Sequence, residues 1–136
     1  MTEREALGVV SDQIGVPTDA LGLAQVLWLL TAQYAAAPAT TATTVPPHTA
    51  VEVYHWSDLG EISWYDFAAE IQRQALAAGL LSKSTALNAI GTSDYPTPAQ
   101  RPAYSVLDCQ SLVQRLGTPQ APWAANLQRV LGALEG

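Results

Sequence analysis

Ser63-Trp64-Tyr65-Asp66-Phe67-Ala68-Ala69-Glu70-Ile71-Gln72-Arg73-Gln74-Ala75 decides how the rest of the chain is read. Trp64, Phe67, Ala68, Ile71 and Ala75 recur at helical spacing, and Asp66, Glu70 and Arg73 fall mostly off that face. This is the pattern of an amphipathic helix packed on one side. Ser63 with Asp66 three residues on is an Asp-bearing version of the capping box, and Gly79 is the stop.

Working outward, Val51-Glu52-Val53-Tyr54-His55-Trp56 alternates and is rich in β-branched and aromatic residues, which predicts a strand. Ala35 to Ala50 holds Ala, Thr, Pro38, Pro46 and Pro47 without charge or period, the composition of an extended linker. Before it, Thr18 or Asp19 can cap a helix running to about Tyr34. Its Leu23, Val26, Leu27 and Leu30 lie at helical spacing, and it is apolar almost all round, so burial on more than one side is expected. Leu7-Gly8-Val9-Val10 reads as a short buried strand, and Ile14 to Thr18 as a loop.

On the other side, Leu80 to Thr92 is ambiguous, with a short strand near Leu87 to Ile90. Tyr95 to Pro102 contains three prolines in eight residues, which hold it extended. Asp108 can cap a helix to Leu116, with Gly117 as its stop, and a last helix starts near Pro122 with Trp123, Leu127, Val130, Leu131 and Leu134 on one stripe. Four helical stripes against two or three brief strands predict an α+β fold, a mostly helical lobe.

At 136 residues, 49% hydrophobic and 13% charged, the chain suits one domain over residues 1–136 with a real core. A net charge of -6 argues against a nucleic-acid or anionic-membrane surface, since counterion release needs clustered Lys and Arg. The lone Cys109 excludes an internal disulfide framework and a Cys-rich zinc site. The longest apolar stretch, Ala20 to Leu30, falls short of the roughly 20 residues of a membrane span. The charged start, Met1 to Glu5, leads into no signal-peptide core, so a soluble cytoplasmic protein is expected.

Dinucleotide, nucleophile-elbow, zincin and Walker motifs are all absent from the sequence. His48 and His55 show no metal-ligand spacing, and His55 reads as a half-buried strand residue. Cys109 reads as a small buried helix residue, although a thiol at a helix start can have a lowered pKa. Arg101, one of six bases, sits in the Pro-rich loop. A pre-ordered guanidinium suits a phosphate or carboxylate; a salt bridge to Asp94 or Asp108 is the equal alternative. Asp12-Gln13 ends a strand, a common place for ligands in α/β sheets, though polar capping of the strand end is the favoured reading in isolation.

Three ordered segments together resemble one family. Val9-Val10-Ser11-Asp12-Gln13-Ile14-Gly15-Val16-Pro17-Thr18 is similar to the D-Q-x-G-x-P-T segment of dTDP-4-dehydrorhamnose reductases. Tyr54-His55 with Gly60-Glu61-Ile62-Ser63-Trp64-Tyr65-Asp66-Phe67-Ala68 resembles their G-E-x-S-W-Y-x-F-A turn and helix. Thr92 to Asp108 resembles their Y-P-T-P-A-x-R-P-x-x-S-V-L-D signature, and Trp123 also fits. The resemblance covers nearly the whole chain, the linker excepted, and corresponds to the C-terminal half of those extended short-chain dehydrogenase/reductases.

The resemblance implies a substrate-binding lobe of a Rossmann-type reductase, without the Gly-rich N-terminal part. The family reduces the 4-keto group of a dTDP-6-deoxy-hexulose with NADPH or NADH, the last step to dTDP-L-rhamnose. Its cofactor loop and Tyr-x-x-x-Lys pair lie in the N-terminal half; here the one lysine is Lys83 and position 79 is Gly79. The expectation is therefore a truncated or split, singly inactive nucleotide-sugar lobe with no cofactor, metal or catalytic residue of its own. Its partner would be a separate cofactor-binding chain or a second copy. By resemblance, Tyr95, Thr97 and Arg101 face the dTDP-sugar, with Asp12 and Gln13 lining the same cleft and Thr18 nearby. The alternative is a non-catalytic interaction protein, or a remnant pairing with a full-length reductase through the helix around Trp28 and the first strand, whose pairing partners would lie in the other half.

Overall fold

The computed structural model describes residues 5–36 and 52–134. It is a mixed fold of four α-helices and four short strands among those residues. The strand β1, Ala6–Val10, pairs in parallel with β4, Ala86–Ile90, in the register Ala6↔Ala86 to Val10↔Ile90. The helix α2, Trp64–Ala77, connects toward β4 and packs on both strands. A parallel pair needs such a crossover, because a tight turn cannot reverse the chain twice. The first strand thus has a neighbour within this chain, while its outer edge carries no strand among the described residues.

Ser63 starts α2 as the spacing predicts. Its hydroxyl accepts from the Asp66 amide at 3.0 Å and donates to the Asp66 carboxylate at 2.7 Å. The reciprocal bond therefore closes on the cap's side chain instead of its amide. Gly79 follows the helix at φ 74°, a left-handed conformation that glycine adopts without a Cβ penalty. The Phe67 ring meets the Trp123 ring edge-on at 5.6 Å and 88°, joining α2 to α4, Trp123–Gly132.

Part of the expected loop is a strand: β2, Ile14–Gly15, pairs antiparallel with β3, Ile62–Ser63. Ile14 also bridges Tyr104, so this short piece pins the start of α2 and the segment after the Pro-rich loop together. The expected strand over Val51–Trp56 does not form. Val51 lies outside the described residues, and 52–56 carries no strand. Alternation reports two faces, but a strand also needs a ladder partner, and 52–56 has none among the described residues. His55 is accordingly exposed and not half-buried.

The helix α1, Ala20–Ala36, starts where Asp19 accepts from the Gly22 amide at 2.7 Å. Thr18 does not take the cap. Burial on several sides is not observed: Val26 is the helix's one buried residue, and Trp28 is 75% exposed. Its apolar surface is a matter of composition, and the described core is too thin to cover it, with Val26, Ala75, Cys109 and Leu112 its buried apolar residues. Residues 35 and 36 of the expected linker belong to α1, and 37–50, with His48, lie outside the described residues.

The helix α3, Gln110–Leu116, begins after Asp108, whose carboxylate accepts from the Gln110 amide at 2.9 Å, and ends at Gly117, φ 64°. Cys109 is buried there as a small residue, 3.6 Å from the Ser57 hydroxyl. Arg115 lies in the last turn of α3. It donates to the Tyr54 hydroxyl at 3.0 Å and stacks over the Tyr34 and Tyr54 rings at 4.8 and 5.5 Å. Tyr34 and Tyr54 both donate to Glu52, holding its carboxyl below the usual range. The cluster ties α1 and α3 to the segment following the linker.

Candidate functional site

The polar residues that end β1 reach across to the loop after β4. Ser11 donates through its amide to the Ile90 carbonyl at 3.0 Å, extending the ladder by one residue. The Asp12 carboxylate then accepts from the Thr92 amide at 3.0 and 3.1 Å and from its hydroxyl at 2.7 Å. These bonds, the amide's first, hold the Asp12 carboxyl below its ordinary pKa. Gln13 donates to the same Thr92 hydroxyl at 3.0 Å.

A single-turn 3-10 segment, Thr92–Asp94, follows, closed where the Asp94 carboxylate accepts from the Gly91 amide at 3.1 Å. Tyr95 to Pro102 runs on from this clamped turn, with the Thr97 hydroxyl donating to the Ala99 carbonyl at 2.7 Å. The Pro-rich loop is thus anchored at its start by β1 and at its end by the Ile14–Tyr104 bridge.

Between this loop, β1 and the first residue of α2 lies a cleft of about 490 Å³. Gly8, Val9 and Val10 of β1 line it together with Gln13, Trp64, Tyr95, Thr97 and Arg101. Four of the six residues expected at a site are therefore together: Gln13, Tyr95, Thr97 and Arg101. Asp12 sits beside the cleft with its carboxylate committed to Thr92, and is not part of the lining. Thr18 is elsewhere, in a separate cavity of about 270 Å³ with Asp58, Phe67 and Trp123. Its neighbour Asp19 pairs with Arg129, and buried Asp58 accepts from Asn126 at 2.8 Å.

Arg101 is exposed at the cleft, and neither expected salt bridge forms. Asp94 and Asp108 are turned to the amides of Gly91 and Gln110. Among the described residues Arg73, Arg115 and Arg129 have carboxylate partners, and Arg101 has none. An unpaired guanidinium at a concave surface can receive a bidentate anion without first breaking an ion pair.

Two cleft features were not legible as such. Trp64 falls on the apolar stripe of α2 and reads as core, yet it is the first residue of the helix and is 56% exposed. Thr92 is the clamp for the whole loop; Asp12-Gln13 after one strand and a threonine after the strand that pairs with it in parallel are the signal that would have found it. No group of His, Cys, Asp and Glu among the described residues is arranged to hold a metal ion, and no helix there is long and apolar enough to cross a membrane.

The sequence profile described as the RmlD substrate binding domain matches residues 1–135. The dTDP-4-dehydrorhamnose reductase of Aggregatibacter actinomycetemcomitans is 38% identical over 127 residues, 93% of this chain and 40% of that protein. The Escherichia coli K12 enzyme of the same name is 35% identical over 97% of this chain and 41% of its own length. Among solved structures, the Clostridium acetobutylicum dTDP-4-dehydrorhamnose reductase superposes with a TM-score of 0.75 at 27% identity, covering 98% of this chain and 40% of that one. The Bacillus anthracis enzyme, solved in complex with NADP, gives 0.70 at 27% identity, over 93% and 38%. The chain thus spans about two-fifths of the length of the relatives it matches.

Proposed function

Because this chain belongs to the RmlD substrate binding domain family, we propose that it is the nucleotide-sugar-binding lobe of a dTDP-4-dehydrorhamnose reductase. The observation that carries the reading is Arg101, unpaired and exposed on the wall of a 490 Å³ cleft shared with Gln13, Tyr95 and Thr97. In this reading Arg101 takes the diphosphate, and Gln13 and Thr97 offer hydrogen bonds to the sugar. Asp12 acts through Thr92, fixing the loop, and is a positioning residue. Thr18 leaves the proposed site.

Reduction of the 4-keto group needs a hydride donor and a proton donor. NADPH supplies the hydride in the family, and we assign its binding and the Tyr-x-x-x-Lys pair to a cofactor-binding part outside the residues described. The open outer edge of β1 is suited to that part, since an unpaired strand edge presents a free row of amides and carbonyls. Soluble, cytoplasmic work fits this role. The test is spectrophotometric: the 136-residue chain with dTDP-6-deoxy-L-lyxo-4-hexulose should not oxidise NADPH. Turnover by the chain alone would contradict the division of labour.

A second reading is favoured by one observation, the charge-free α1 with Trp28, Leu21 and Leu27 more than half exposed. Such a surface tends to mark an interface, so the chain would be a non-catalytic partner of a full-length reductase or of a second copy. That role requires no dTDP-sugar binding of its own, and the titration closing the Discussion separates the two.

A further inference from the structure

We propose that Trp64, with Tyr95 in the lining of the same cleft, supplies an aromatic surface that receives the apolar ring face of the ligand whose diphosphate Arg101 holds. The inference deepens the proposed function and rests on it.

Trp64 is 56% exposed and Tyr95 59%, and both line the same cleft as Arg101. Single exposed aromatics are ordinary on protein surfaces. Two that share one concavity with a guanidinium free of any carboxylate among the described residues match the two chemistries of a nucleotide-sugar: an anion and a ring with a flat or apolar face. Among the described residues neither ring has an aromatic partner, the one such pair being Phe67 with Trp123.

The backbone that carries each ring is also anchored. Trp64 follows Ser63, which is buried, pairs with Ile14 across β2–β3, and caps α2 through Asp66. Tyr95 donates its amide to the Thr92 carbonyl at 3.2 Å, directly after the turn that Asp12 clamps. With the backbone already ordered, stacking on these rings costs side-chain freedom alone, and less of the contact is lost to ordering. The ring face has two sources in such a ligand, the thymine and the hexose.

The experiment titrates dTDP-rhamnose, dTDP and inorganic pyrophosphate calorimetrically into the unaltered chain, Trp64→Ala and Trp64→Phe. Stacking on an aromatic side chain is typically lost as a 10- to 100-fold change, so Trp64→Ala should weaken dTDP-rhamnose by about that factor. Pyrophosphate, which has no ring, should change by less than about twofold, and Trp64→Phe should keep most of the affinity. If dTDP weakens equally, the ring is thymine; if only dTDP-rhamnose weakens, it is the hexose. Undiminished dTDP-rhamnose binding by Trp64→Ala would overturn the aromatic surface and leave the proposed function standing. So would equal losses for pyrophosphate in both variants, which mark a structural role. An unaltered chain that binds none of the three would overturn the proposed function and this inference with it.

Discussion

Replacing Arg101 with alanine should weaken dTDP-sugar binding about 10- to 150-fold, since a hydrogen bond to a charged group is worth roughly 1.5–3 kcal/mol. The expectation is sharper than the sequence alone allowed. Among the described residues Arg101 has no carboxylate to release, so its removal subtracts from the ligand and not from an internal ion pair. Arg115 is an unsuitable control, because it stacks on Tyr34 and Tyr54 and joins α3 to Glu52. Lys83, exposed and outside the cleft lining, removes the same charge without touching the site. Titration of dTDP-rhamnose into Arg101→Ala and Lys83→Ala therefore isolates position from charge. Equal affinities would mean that Arg101 does not meet the diphosphate.

Gly60→Ala should be among the most destabilising single changes to the fold. Gly60 has φ 107°, a region that side-chain-bearing residues rarely adopt, and a Cβ there would lie 3.0 Å from both Cδ1 and Nε1 of Trp123. Backbone strain of about 1–3 kcal/mol and overpacking of a similar size together give an expected loss of about 2–5 kcal/mol. That is a large share of the roughly 5–15 kcal/mol that holds a domain folded. Gly79 is the matched comparison: φ 74°, with nothing within 4 Å of its Cβ position. Gly79→Ala carries only the backbone strain and should cost about 1 kcal/mol. Urea unfolding followed by tryptophan emission compares the two. Equal midpoints would show that the Trp123 ring moves aside freely.

The elements whose signals are local were legible in the sequence. Ser63 and Asp66 start α2, Gly79 and Gly117 take left-handed backbone after their helices, and Leu87 to Ile90 is a strand. Where the outcome depends on what lies alongside, the sequence was silent. Glu52 to Trp56 alternates like a strand but finds no ladder, and Ile14–Gly15 reads as a loop but pairs with Ile62–Ser63. α1 has the composition of a buried helix with little packed against it, because apolar character shows what can be buried and not what is.

The cleft divides the same way. Arg101, Tyr95 and Thr97 share one Pro-rich loop, so their proximity follows from chain order. Gln13 joins them only because β1 and β4 run in parallel and bring residue 13 to residue 92. Asp12 was expected in the lining and instead clamps Thr92, since its carboxylate meets two donors there before any ligand arrives. Trp64 could not be told from core, because helical periodicity marks a face without showing how much of it is covered at the helix end.

The most direct measurement is a pair of calorimetric titrations of the unaltered 136-residue chain, one with dTDP-rhamnose and one with NADPH. dTDP-rhamnose should bind one per chain without any cofactor present, and NADPH should give no binding heat. Saturable binding of NADPH with none of dTDP-rhamnose would contradict the proposed function.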